Sequence, residues 1–165
     1  MALGESGLGG VAPISGGAPV PGAPVPGAPG PSTPAAGAQV AGAPVGLGLD
    51  LVDIARFGAV LARRPTASHR LFTEGERAYA ATLANPVPSL AARFAAKEAV
   101  MKALGVGLGA FAFSDVEVER RPSGEPALVL TGQAARLAAK QDVKSWLISL
   151  THTGTAAAAV VIALA

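Results

Sequence analysis

Gly46-Leu47-Gly48-Leu49-Asp50-Leu51-Val52 is the stretch on which the fold turns. Its leucines recur at every second residue, the pattern of a half-buried strand. They occupy one face, and Asp50 shares the other with the glycines. A helix is predicted from Asp53, carrying Ile54, Phe57, Val60 and Leu61, with Asp53 as its N-cap and Pro65 as its end. Thr73 and Glu76 stand in capping-box spacing ahead of a second helix that reaches Ala84, where Asn85-Pro86 breaks it. Ser89 is predicted to cap a third helix, Leu90–Leu104, which Gly105 stops.

The second half reads mostly as strands. Phe111–Glu119 alternates, Ser123-Gly124-Glu125-Pro126 makes a turn, and Ala127–Leu130 returns as a hairpin partner. A short Ala-rich helix covers Gln133–Lys140. Trp146–Leu150 and Ala156–Leu164 form a last pair around Thr151-His152-Thr153-Gly154. Strands mostly adjacent in sequence predict an antiparallel sheet with helices packed on it, an α+β fold.

Residues 1–44 differ from all of this. They hold one charge, Glu5, and most of the chain's 14 prolines, and Gly17-Ala18-Pro19-Val20-Pro21 repeats as Gly22-Ala23-Pro24-Val25-Pro26. Proline removes backbone donors and glycine raises the entropy of ordering, so the expectation is a disordered, partly extended tail ahead of a domain over 45–165.

Composition narrows the class. A chain of 165 residues suits one domain. Its 50% hydrophobic content is largely alanine, and aromatics are only 4%, so the core must rest on Leu, Val, Ile and a few Phe. A domain this poor in bulk gains by oligomerising. The absence of cysteine excludes disulfides, thiolate zinc sites and cysteine nucleophiles. A net charge of +2 with no basic run argues against nucleic acid and suits an acidic protein or a phosphorylated small molecule. Neither a signal peptide nor a bilayer-length apolar run is legible, so the expected location is the cytoplasm, with no membrane partner.

Two acids stand in awkward places. Viewed down the third helix, Glu98 falls among Ala91, Phe94, Ala95 and Met101, where a carboxylate is expensive unless a cation or hydrogen bonds hold it. Lys102, one turn on, could pair with it as an ordinary helical ion pair. Asp50 sits inside a strand, where Asp is disfavoured, on the face it shares with glycines that let other groups approach closely. Two such carboxylates suggest a shared hard cation; magnesium takes one or two and fills its other sites with water and phosphate oxygens. His152, among hydroxyls at a strand junction, is either a packed turn residue or a phosphate or ribose contact. Gly105-Val106-Gly107-Leu108-Gly109 follows a helix rather than a strand, which excludes a dinucleotide-binding loop.

The segment Gly46 to Phe57 resembles the opening strand and helix of the holo-acyl-carrier-protein synthases, a 4′-phosphopantetheinyl transferase family. Arg93-Phe94-Ala95-Ala96-Lys97-Glu98-Ala99-Val100-Met101-Lys102-Ala103-Leu104-Gly105 is similar to their signature helix. Asp115-Val116-Glu117-Val118 with Gly124-Glu125-Pro126, and the ending Ser149-Leu150-Thr151-His152-Thr153, fit in the same order. Val106 stands where a Thr is common in the family, and Thr151 where a Ser is common. The resemblance spans Val45 to the C-terminus and implies transfer of phosphopantetheine from coenzyme A to a serine of an acyl carrier protein. It implies Asp50 and Glu98 as magnesium ligands, and Lys102, His152 and Thr153 near the coenzyme A phosphates. Asp50, Glu98 and Lys102 would then be the catalytic group, with Glu98, a bound water or His152 receiving the serine proton. Arg56 would meet the carrier protein's acidic helix, and a homotrimer with sites between subunits is the implied assembly.

Overall fold

The protein is described by a computed structural model over residues 42–165. The tail expected over 1–44 therefore falls almost wholly outside the described residues. Strand β1, Pro44–Asp53, is the first element of the described residues, and Ala165 N donates to Ala43 O at 3.0 Å beside it. The helices α1 (Ile54–Arg63), α2 (Ala67–Leu71), α3 (Glu74–Ala81) and α4 (Val87–Ala103) follow. A short 3-10 turn, Phe113–Asp115, leads into β2 (Val116–Arg120) and β3 (Pro126–Leu130). Then come α5 (Gly132–Lys140), β4 (Ser145–His152) and β5 (Ala156–Leu164). Both ladders are antiparallel, one with the order β1-β5-β4 and one pairing β2 with β3, so the α+β expectation holds.

Local chemistry fixes most boundaries. Asp53 Oδ1 accepts from Arg56 N at 2.7 Å and caps α1. Thr73 and Glu76 form the capping box of α3, each side chain accepting from the other's backbone N–H. Gly105, at φ +64°, ends α4: its N–H donates to Lys102 O, and Val106 N donates to Met101 O, the paired bonds of a left-handed helix stop.

Three expectations need correction. The third helix starts at Val87 behind Pro86, with Pro88 in its first turn, because proline fits where no N–H is needed. Ser89 is thus inside the helix, and its Oγ accepts from Arg93 Nη1 instead of capping. Between the first two expected helices, Ala67–Leu71 forms the one-turn helix α2. The strand expected from Phe111 begins only at Val116, since the preceding residues turn to let Asp115 O accept from Thr131 N and its Oδ2 accept from Gln133 N.

The sheet's two faces are the decisive feature. Register aligns Gly48 with Val161 and Ile148, and Asp50 with Ala159 and Leu150, on the face covered by α4. Leu47, Ile162 and Leu147 share the opposite face, as do Leu49, Val160 and Ser149. The buried side of β1 is the glycine side, and the leucines lie bare: Leu47 is 67% exposed, Leu49 58% and Leu51 67%. A strand whose inward residues are glycines contributes no side-chain bulk there and gains close backbone approach in its place.

α4 is buried nearly all round, against the sheet on one side and β2 and the other helices elsewhere. Phe57, Phe94 and Phe113 pack in a row, with ring centroids 5.3 and 5.2 Å apart, and Phe72 meets Phe57 edge-on. Lys97 lies fully buried among them. Its Nζ reaches Glu76 Oε2 at 2.7 Å and donates to Phe113 O and Val116 O. Glu76 Oε1 accepts from Val118 N, so every group of the pair is satisfied. Removing one partner leaves an uncompensated buried charge. Lys97→Met should therefore lose about 3–5 kcal/mol, read as a lower urea midpoint.

Candidate active site

The site is built where β1 presses on α4. A Cβ on Gly48 would run into the Ala99 carbonyl oxygen, and one on Gly46 into that of Ala103, so neither position accepts a side chain without parting strand from helix. Two residues on, the same face carries Asp50, only 8% exposed. Glu98 and Lys102, one turn apart on α4, come up against it.

Lys102 Nζ donates to Asp50 Oδ1 at 2.8 Å and to Leu49 O at 2.8 Å. The Lys102 ion pair is thus with Asp50, across elements, and not the helical pair with Glu98 that spacing alone allowed. Glu98 feels Asp50 directly. Burial, then a hydrogen bond with Asp50 and its negative charge, push the Glu98 carboxyl up to about 7, and Lys102 opposes this only in part. Asp50 Oδ2 is buried without a donor. Two ionised carboxylates cannot donate to one another, so only a proton on Glu98 or a cation between the two acids satisfies that oxygen. This orphaned oxygen and the all-oxygen donor pair fit a magnesium ion. Among the described residues no group of three or more His, Asp or Glu gathers anywhere, so the protein would supply two ligands at most.

The remaining expected residues stand apart. His152 is exposed at the end of β4, in register with Ala157, and β4 lies two strands from β1, about 10 Å at ordinary strand spacing. Thr153 Oγ1 accepts from Thr155 N and Ala156 N and so shapes the β4–β5 turn. Arg56 lines a cleft of about 500 Å³ with Leu51, Asp53, Phe57 and Thr155. Asp53 acts as a helix cap, as expected.

Sequence reasoning missed Arg93. Its side chain is 6% exposed, its guanidinium lies 4.5 Å over the Tyr79 ring, and its Nε has no partner. With Arg120 and Gly124 it lines a cleft of about 210 Å³. The signal was present: an arginine between Ala92 and Phe94, in a helix otherwise lined with small residues, is as costly to bury as Glu98.

Comparison with known proteins identifies the family. A family model described as the 4′-phosphopantetheinyl transferase superfamily matches residues 46–162. A holo-[acyl-carrier-protein] synthase of Frankia casuarinae is 49% identical over 119 residues, which span 72% of this chain and 96% of that protein. One from Streptomyces griseus is 45% identical, spanning 72% and 97%. Among solved structures, the synthase of Neisseria meningitidis superposes with a TM-score of 0.69 at 27% identity, covering 74% of this chain and all of that one. The Helicobacter pylori enzyme in complex with coenzyme A gives 0.63 at 28%, covering 71% and 98%.

The Glu98 environment sets a pH signature. Between its unfolded value of 4.5 and its folded value of about 7, folded Glu98 holds a proton that the unfolded chain has released. Metal-free protein should therefore lose thermal stability as pH rises through that window. Asp50→Asn, which removes the neighbouring charge, should flatten the slope in a melting series from pH 4.5 to 8.

Proposed function

Because the chain belongs to the 4′-phosphopantetheinyl transferase superfamily, we propose that Asp50 and Glu98 hold one magnesium ion beside the pyrophosphate of coenzyme A. The reaction is transfer of 4′-phosphopantetheine from coenzyme A to a serine of apo acyl carrier protein. The observation that carries the metal reading is the unpartnered Asp50 oxygen facing a carboxyl that resists ionisation. When bound, the ion would neutralise charge on the pyrophosphate oxygens.

The chain's own groups do the rest. The serine Oγ forms a bond to the β-phosphorus of coenzyme A, the bond from that phosphorus to the bridging oxygen breaks, and adenosine 3′,5′-bisphosphate leaves with it. Lys102, an ammonium on a half-exposed stem, meets the charge on the leaving phosphate. Glu98 takes the serine proton, directly or through a water. His152 is the alternative acceptor. His152 and Thr153 otherwise contact cofactor phosphates, and the unpartnered Arg93 Nε offers a further anion contact. Arg56, with Arg63 and Arg64 further along α1, offers positive charge to an acidic helix of the carrier protein.

A homotrimer with sites between subunits accounts for two facts. Among the described residues nothing covers the leucine face of the sheet, and His152 lies about 10 Å away from β1 at ordinary strand spacing. Among the described residues no helix is long and apolar enough to cross a membrane. Coenzyme A and carrier protein are cytoplasmic substrates, which argues for that compartment.

Apo carrier protein incubated with the full chain, coenzyme A and Mg²⁺ should gain the mass of one phosphopantetheine. Binding without that gain would mark a non-catalytic module. Glu98→Ala should abolish the gain while circular dichroism stays native, and calorimetry should find Mg²⁺ binding lost; an active variant removes the metal assignment. Leu49→Lys should convert a particle of three chain masses into monomers in sedimentation and cut activity at least tenfold. A wild type that sediments as a monomer while remaining active removes the trimer.

A further inference from the structure

We propose that Lys102 is the internal counter-ion of the metal-free site, and that it yields Asp50 to the incoming magnesium ion before its ammonium group can reach the cofactor. The inference rests on the reading of Asp50 and Glu98 as the metal's ligands. It concerns what the site does before coenzyme A arrives.

The two lysines of α4 make the contrast. Lys97 has a side chain with no exposed surface and three polar neighbours on three elements, and it cannot leave without stranding Glu76. Lys102 is different in each respect. Its side chain is 55% exposed, while the Asp50 side chain it holds is only 11% exposed. An ion pair with one wet partner is weak, and a flexible four-carbon stem lets the ammonium swing away at little cost. Its grip is nevertheless specific, with Asp50 Oδ1 and Leu49 O each at 2.8 Å.

That grip holds Oδ1 of the carboxylate whose other oxygen, Oδ2, the metal would take. An ammonium on Oδ1 and a divalent cation on the same carboxylate repel each other at contact distance, where even surface-like screening leaves a strong interaction. The stronger cation displaces the weaker. Lys102 then carries its charge outward, in the direction from which a diphosphate must come. Binding is therefore ordered: coenzyme A offered to metal-free protein meets a lysine already engaged, whereas metal binding frees it.

The test uses the full chain and Mg²⁺ alone. Lys97, Lys102, Lys140 and Lys144 are the only lysines, so the side-chain ammonium resonances of ¹⁵N-labelled protein are few, and the Lys102→Met spectrum assigns one of them. In metal-free protein the Lys102 side-chain ¹⁵N resonance should carry the shift of an ion-paired ammonium, and Mg²⁺ without coenzyme A should move it to that of a free one. Calorimetry should find Lys102→Met binding Mg²⁺ about three- to tenfold tighter than wild type, the range expected for release of one weak ion pair. A resonance unmoved while Mg²⁺ binds, or a variant that binds Mg²⁺ no more tightly, overturns the inference and leaves the ligand assignment standing. Wild type that takes up no Mg²⁺ at all sinks the ligand assignment first, and this inference with it.

Discussion

Everything in the site depends on how closely β1 lies on α4. Carbonyl oxygens of Ala99 and Ala103 fill the space that side chains at Gly48 and Gly46 would need. Glycine is therefore present for the contact it permits rather than for backbone freedom. The alanines of α4 and β5 extend the same principle across the sheet, where Ala157, Ala159 and Ala163 are buried opposite Ala91, Ala95 and Ala99. Small surfaces in register bring backbone to backbone, and the short Asp50 side chain can then reach a helix it would otherwise miss. Were either element displaced by a methyl group's width, Asp50 and Glu98 would cease to share an environment.

Holding α4 in place falls to chemistry on its other side. Glu76 ties the start of α3 to β2 and to Lys97, while Lys97 ties α4 to the turn before β2. A buried ion pair contributes little net stability, because desolvation offsets the attraction. Burial duly pulls the Lys97 pKa down, against the pull of Glu76. What the pair supplies is position: five polar groups agree on one placement of the helix that carries Glu98 one residue later. A few residues away, the Asp50–Glu98 pair is left unsatisfied. One carboxylate network on this helix is closed and the other open, and the open one is where a ligand has something to add.

Elements with a local cause were legible in the sequence. The Asp53 cap, the Thr73–Glu76 box, the Gly105 stop and the β2–β3 turn at Gly124 each rest on residues within a few positions of one another. Asp50 and Glu98 were legible as misplaced charges, although nothing in their spacing says that they meet. What stayed hidden was set by tertiary packing. Helical projection put Glu98 on a core face and could not show that α4 is buried nearly all round, so nothing singled out Arg93 and Lys97. The alternation in β1 identified two faces without saying which is covered. Hydrophobicity alone favours leucine inside; the approach of α4 reverses that preference. Capping by Ser89 failed because Pro86 and Pro88 start a helix without needing a cap donor.

That reversal links site and assembly in seven residues. Side chains alternate strictly along a strand, so the register that points Asp50 at α4 also points Leu49 and Leu51 away from it. A slip of one residue would bury leucines where only glycine fits and expose the acid, so the two faces cannot be chosen separately. The outward rows, Leu47–Ile162–Leu147 and Leu49–Val160–Ser149, are continuous across all three strands. A monomer with so few large core residues has every reason to cover such a surface, since about 25 cal/mol is gained for each Å² of apolar area removed from water. The strand that supplies the acid is thus also the strand that carries the exposed leucines, and His152 stands at the far edge of the same sheet.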